Sequence, residues 1–256
     1  MLGSIIGDII GSTYEFRNAH GYDFDPFPPG SGFTDDTVLT IAIADAIMNG
    51  KSYSESVREY ALKYPGRGYG GWFIEWVYMT DPKPYNSFGN GSAMRVSPVG
   101  WAYNSLEKTV EEAERSASIT HNHPEGIKGA QAVAAAMFMA RKGSSKQEIR
   151  DYITRTFSYN LERSLSEIKP FYSFNETCQK TVPEALICFL ESSNFEDAVR
   201  KAIWLGGDSD TLACIAGSIA EAFYLDMPQS WIEKAAGYLD NDLTDVVRRF
   251  TNNFRI

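Results

Sequence analysis

Residues 204–224 read WLGGDSDTLACIAGSIAEAFY, and this stretch decides the fold. From Thr211 to Tyr224 it is apolar nearly all round at helical spacing, so it reads as a helix placed centrally in a core. Residues 38–48 (VLTIAIADAIM) form a second apolar helical run, stopped by Asn49-Gly50. Residues 125–142 are an Ala-rich helix opened by Pro124 and closed by Gly143. Residues 108–119 carry the polar face of an amphipathic helix. Ser145-x-x-Glu148, Thr181-x-x-Glu184 and Ser230-x-x-Glu233 fit the capping-box pattern. In the second of these Pro183 would fall in the first turn, where it is tolerated. Period-two runs of Val, Ile and Thr are scarce and no hairpin turn joins two of them. The expectation is an all-α, orthogonal multi-helix bundle.

The chain has 256 residues, near the upper end for one core, and neither a linker nor a short repeat divides it. One domain over 1–256 is expected. The composition, 43% hydrophobic and 22% charged, is that of a folded chain rather than a disordered one. The net charge of −9 argues against binding to a nucleic-acid backbone, which needs a basic face. A small phosphorylated ligand is still allowed, because cations or backbone N–H groups can hold phosphate. Cys178, Cys188 and Cys214 are odd in number and lack a CxxC pair, as expected of buried, reduced thiols in a cytoplasmic protein. The opening residues MLGSIIGDIIGSTYEF carry no Lys or Arg and are interrupted by Asp8, so no signal peptide is expected. No apolar run reaches about 18 residues, so no membrane partner is expected.

Two acidic runs carry the chemistry: Thr34-Asp35-Asp36-Thr37 and Asp208-Ser209-Asp210-Thr211. Each lies where a loop gives way to a long apolar helix. Taken singly, each reads as a helix cap, since Asp, Ser and Thr are the favoured residues there. Yet a cap needs one acceptor and each run supplies several. Four carboxylates in one pocket would repel and raise one another's pKa unless cations sat among them. Two divalent ions balance that charge, and carboxylate and hydroxyl oxygens are hard donors that favour Mg²⁺ or Mn²⁺ over Zn²⁺. Two helix N-termini at the site oppose cation binding, and the positive field left over is expected to help hold an anionic ligand. In the first helix Gly3, Gly7 and Gly11 share one face, which allows another backbone to approach closely. Asp8 lies in the middle of that apolar helix, where an unpaired carboxylate is costly. Glu15 lies at its end, on the unfavourable side of the dipole. The segments 20–33, 65–71 and 80–91, rich in Gly, Pro, Tyr and Asn, are loops of a length that usually carries function.

Five motifs in order, GSIIGDIIGSTYEF, FTDDTVLT, GNGSAMRVSP, ITHNHPEGIKGA and WLGGDSDTLACIAGSIAEA, give the chain a resemblance to the ADP-ribosylglycohydrolases over nearly its whole length. The resemblance implies an all-α fold with a binuclear Mg²⁺ or Mn²⁺ centre at the base of an ADP-ribose cleft. By family position Thr34, Asp35, Asp36, Asp208, Asp210 and Thr211 look like the metal ligands, and Glu15 like a mobile acid beside them. Gly89, Asn90, Gly91, Ser92, Ala93 and Met94 look like the loop that wraps diphosphate and ribose, where free N–H groups at a helix start suit phosphate. His121 looks like the ligand-contacting histidine; His123 is the weaker choice and His20 reads as a loop residue. Tyr69, Trp72 and Tyr85 are candidates to stack on adenine, or else part of the core or rim.

The implied reaction is hydrolysis of the bond between C1″ of ADP-ribose and its acceptor, with Asp35 or Asp210 preferred over Glu15 as base. The acceptor is expected to be a side chain of an ADP-ribosylated protein, such as arginine or serine. Three rivals stand beside it: a hydrolase of a free derivative such as O-acyl-ADP-ribose, a silent ADP-ribose binder on the same scaffold, and a helical structural protein whose acidic runs are only caps.

Overall fold

The computed structural model describes residues 1–17, 19 and 21–254; His20 lies outside them. The described residues contain fifteen α-helices, one 3₁₀ turn and no strand. They are α1 (Leu2–Gly11), α2 (Asp35–Asn49), α3 (Tyr53–Lys63), α4 (Gly71–Tyr78), α5 (Gly91–Met94), α6 (Ser97–Ala102), α7 (Leu106–Ala117), α8 (Pro124–Arg141), α9 (Lys146–Phe157), α10 (Leu165–Ile168), α11 (Cys178–Leu190), α12 (Phe195–Leu205), α13 (Ser209–Tyr224), α14 (Gln229–Ala236) and α15 (Asn241–Phe254). The all-α bundle expected from the periodicity is the fold observed.

The helix that decided the reading is its centre. α13 is buried from Ser209 to Ala222 and packs against α1, α8, α11 and α12. Its contact with α1 is the most extensive between any two helices, and the glycine face explains it. A Cβ on Gly3, Gly7 or Gly11 would collide with the backbone of Gly217, Ala213 or Asp210 respectively. Only glycine lets the two helix backbones come this close. The consequence for the site is direct, because Asp8 and Asp210 are thereby carried to the same place. α2 packs against α1, touches α13, and is backed by α3, α6 and α15.

Local signals held unevenly. The Ser145 and Glu148 capping box is present at the start of α9, and Ser164 with Glu167 forms another at α10 that the sequence reading passed over. Thr181 and Ser230 are not caps. α11 begins three residues before Thr181, at Cys178, and Thr177 is its N-cap. Pro183 therefore sits at the sixth helical position, and Glu184 pairs with Arg163 at 2.9 Å instead of closing a cap. α14 starts at Gln229 with Pro228 before it, which puts Ser230 inside the first turn. α1 ends at Gly11, so Glu15 lies past the helix rather than at its end. Among the described residues no helix is long and apolar enough to cross a membrane. The three cysteines are buried and unpaired.

Candidate metal centre and ligand cleft

The first acidic run starts α2. Thr34 is extended (φ −107°) and its hydroxyl accepts the Asp36 N–H at 3.3 Å. Asp35 N–H is held by the Arg67 carbonyl at 2.7 Å. Only Thr34 of this run is spent on capping, so both carboxylates are left over. The second run starts α13 after Gly206 and Gly207, both at positive φ (81° and 76°), where a Cβ is strained. A Cβ on Gly207 would also meet the Tyr172 ring. Asp208 occupies the N-cap position yet makes no side-chain capping bond. Its carboxylate instead accepts Asn90 Nδ2 at 2.6 Å.

The two runs meet. Oxygens of Asp8, Asp36 and Asp210 lie within 4.8 Å of one another, as do those of Glu15, Asp208 and Asp210. Thr34 and Thr211 hydroxyls stand 3.4 and 3.3 Å from Asp36 Oδ2. All six residues of the two runs assigned by resemblance, with Glu15, line one cleft of about 640 Å³. Asp36 is 2% exposed and its Oδ1 has no hydrogen-bond partner. Burial, reinforced by Asp210, pushes Asp35, Asp36 and Asp208 well above the usual carboxylate range, and Asp8 to about 7. Burial and then Asp210, Glu176 and Asp8 push Glu15 to about 7. An orphaned buried oxygen within a ring of mutually repelling oxygen donors fits hard divalent cations.

The glycine loop forms the opposite wall. Gly89, Asn90, Gly91 and Met94 line the cleft. Ser92 and Ala93 do not: the Ser92 hydroxyl donates to Gly126 O at 2.7 Å and Ala93 is in the core. The expected row of free amides is also curtailed, because α5 is one turn long and the Ala93 and Met94 N–H groups bond to Asn90 O. The loop is anchored from α11 and the segment before it, by Asn90 N to Glu176 O (2.7 Å), Cys178 N to Phe88 O (3.0 Å) and Cys178 Sγ to Gly89 O (3.0 Å).

His121 is 5% exposed and lines the cleft. Burial and Arg95 hold it well below the usual histidine range, so it is neutral. Thr120 Oγ1 accepts Arg95 Nη2 at 2.8 Å and lies 2.7 Å from His121 Nδ1. Nδ1 is thus engaged by Thr120, and Nε2 is the ring nitrogen beside Gly89 and Gly91. His123 is a helix cap, its Nδ1 accepting the Glu125 N–H at 3.1 Å. Of the aromatic candidates, Tyr69 is stacked on Phe73 with its hydroxyl bound to Tyr64 O, whereas Trp72 is 69% exposed and meets Tyr85 edge-on at 6.2 Å.

Several residues of the site were not singled out for it in the sequence. Asp8 was marked as a costly buried charge, but its partners lie 26 and 29 residues away in the chain. Arg95 is fully buried in the cleft wall, with Nε and Nη1 unpartnered and its pKa lowered by burial to about 10. The available signal was an arginine inside the apolar run Ala93 to Val96. Glu176 and Phe16 complete the rim, Phe16 stacking on Phe174 at 5.8 Å; as exposed loop residues they left no pattern to read.

The family model for ADP-ribosylglycohydrolase matches residues 1–255. Human ADP-ribosylhydrolase ARH3 is 27% identical over 325 aligned positions, covering 95% of this chain and 90% of that protein. ADP-ribosylarginine hydrolase Tri1 of Pseudomonas putida is 29% identical, covering 92% of this chain and 73% of that protein. Among solved structures, an ADP-ribosylglycohydrolase-related protein complex superposes with a TM-score of 0.72 at 23% identity, covering 98% of this chain and 95% of the other, a likeness of fold.

Proposed function

The chain belongs to the ADP-ribosylglycohydrolase family, and from that membership we propose that it hydrolyses the bond joining C1″ of ADP-ribose to the side chain of an ADP-ribosylated protein, such as arginine or serine, in a cation-dependent reaction. The observation that carries the cation dependence is Asp36: buried, one oxygen orphaned, and within reach of the Asp8 and Asp210 carboxylates. Thr34, Asp35, Asp36, Asp208, Asp210 and Thr211 would hold two divalent cations, Mg²⁺ or Mn²⁺. Bound there, the cations supply positive charge that neutralises the carboxylates and polarises the hydroxyls of the distal ribose.

The chain's own groups then have separable tasks. Asn90 fixes Asp208 by its 2.6 Å bond. His121 presents Nε2 to the ligand, and Arg95 sets a buried positive charge behind the wall that would face the diphosphate. The candidates to accept a proton from the attacking water are Asp35, Asp210 and Glu15. The water oxygen bonds to C1″ as the C1″–acceptor bond breaks. One water proton passes to the carboxylate and from it to the departing acceptor, and the other stays on the new anomeric hydroxyl. The test is release of ADP-ribose from arginine-linked and serine-linked peptides with Mg²⁺ or with chelator. Release from neither peptide, while free O-acyl-ADP-ribose is hydrolysed, moves the substrate to the small derivative; ligand binding with no turnover makes the chain a silent binder.

A further inference from the structure

We propose that Asp8 is the positioning residue of the centre: it takes the hydroxyl proton of Thr34 and so leaves the lone pair of that oxygen not used by the Asp36 amide for a cation bound between Thr34 and Asp36. The inference rests on the cation-dependent reading above. Asp8 is fully buried, in the middle of α1, and reaches this place through the glycine face that lets α1 lie on α13. Its hydrogen-bond donors all come from the start of α2. Oδ1 accepts Thr34 Oγ1 at 2.7 Å; Oδ2 accepts Thr34 N at 3.0 Å, Thr37 N at 3.1 Å and the Thr37 hydroxyl. The two amides belong to the first turn of α2, whose N–H groups have no partner within the helix. Asp8 thus caps α2 from a different helix and sets its register against the carboxylates.

A hydroxyl has one proton to give. Thr34 Oγ1 stands 2.7 Å from Asp8 Oδ1 and 3.4 Å from Asp36 Oδ2, so the proton lies toward Asp8. Thr34 and Asp36 then face each other as two acceptors, an arrangement that a cation between them relieves. Groups that orient a ligand atom in this way tune cation affinity without touching the ion. Thr37 is an internal control. It binds the same carboxylate through the other oxygen, but is itself buried and outside the cleft wall.

The experiment is calorimetric titration of the full chain with Mn²⁺ at neutral pH, after chelator has been removed. T34V, which removes the ligand oxygen itself, and D8N, which removes its orienting partner, are each expected to weaken Mn²⁺ binding by about 10–100-fold. The D8N/T34V double variant should lose no more than the worse single one, T34S should bind as the wild type does, and T37V should lower Tm while leaving affinity within about threefold. Losses that multiply in the double variant overturn the proposal, since Asp8 then acts through its charge or as a ligand in its own right. Unchanged affinity in D8N overturns it as well. If D8N does not fold, D8E keeps the charge but moves the acceptor: a loss of about tenfold or more supports the positioning role, and wild-type affinity overturns it. A wild-type chain that binds no Mn²⁺ overturns the cation reading together with this one.

Discussion

Replacing Glu15 with Gln isolates one carboxylate of the centre and gives a stability change whose sign and size follow from its surroundings. Burial, Asp210, Glu176 and Asp8 raise Glu15 from 4.5 to about 7 in the fold. Between those two values the folded state holds a proton that the unfolded state has released. Stability is therefore lost as pH rises through this window; Glu15 is only half-buried, so solvent screening reduces the full slope of about 1.4 kcal/mol per unit to a total of about 1.5 kcal/mol. For a chain of this length that is about 3 °C in Tm. Asp8, Asp36 and Asp208 shift in the same direction. His121 opposes them: held well below its ordinary value, it favours the fold more as pH rises toward 6.5. The clean quantity is thus the difference between wild type and E15Q, measured by scanning calorimetry with chelator from pH 4.5 to 7.5. Wild type should lose about 3 °C relative to E15Q across that range. Saturating Mg²⁺ should restore most of the loss at the upper end and little at the lower end, where protons compete for the same oxygens. A wild-type minus E15Q difference that is flat with pH, or that grows with it, means Glu15 does not share its field with the other carboxylates.

Other substitutions probe other parts of the structure. Gly7→Ala forces a methyl into the Ala213 carbonyl; a loss of about 2–3 kcal/mol is expected in urea unfolding, with Mn²⁺ affinity falling as Asp8 moves away from Asp210. Asn90→Ala removes the 2.6 Å bond to Asp208, and a loss of about 1.5–3 kcal/mol in unfolding experiments is expected, as for hydrogen bonds to charged groups. Trp72→Ala should weaken ADP-ribose binding by about 1 kcal/mol without changing Tm, because the ring is mostly exposed and free to stack; unaltered binding would exclude it as an adenine platform.

The helical skeleton was readable because its signals are local. The apolar run of α13 and the stop at Asn49-Gly50 need no knowledge of distant residues, and the glycine face of α1 announced a close neighbour, though not which helix it would be. The capping signals at Thr181 and Ser230 failed because a cap pattern cannot say whether the chain is already helical there. Thr177 had started α11 one turn earlier, and tertiary contacts gave Glu184 to Arg163. At the site, the acidic runs stood out as more acceptors than two caps need. Ser92 and Ala93 belong to the same glycine-loop motif as Asn90, but one turn of helix rotates them into the core, and motif membership carries no such orientation. Asp8 and Arg95 were costly by burial alone; what offsets that cost is contributed by residues far away in the chain, which a sequence pattern does not reveal.

A crystal of the protein soaked with Mn²⁺ and ADP-ribose, with data collected at the manganese edge, addresses the cation centre itself. The expected result is anomalous density between residues 34–36 and 208–211, with the orphaned Asp36 Oδ1 among the ligands and the distal ribose against it. Ordered ADP-ribose in the cleft with no anomalous peak between those residues would contradict it.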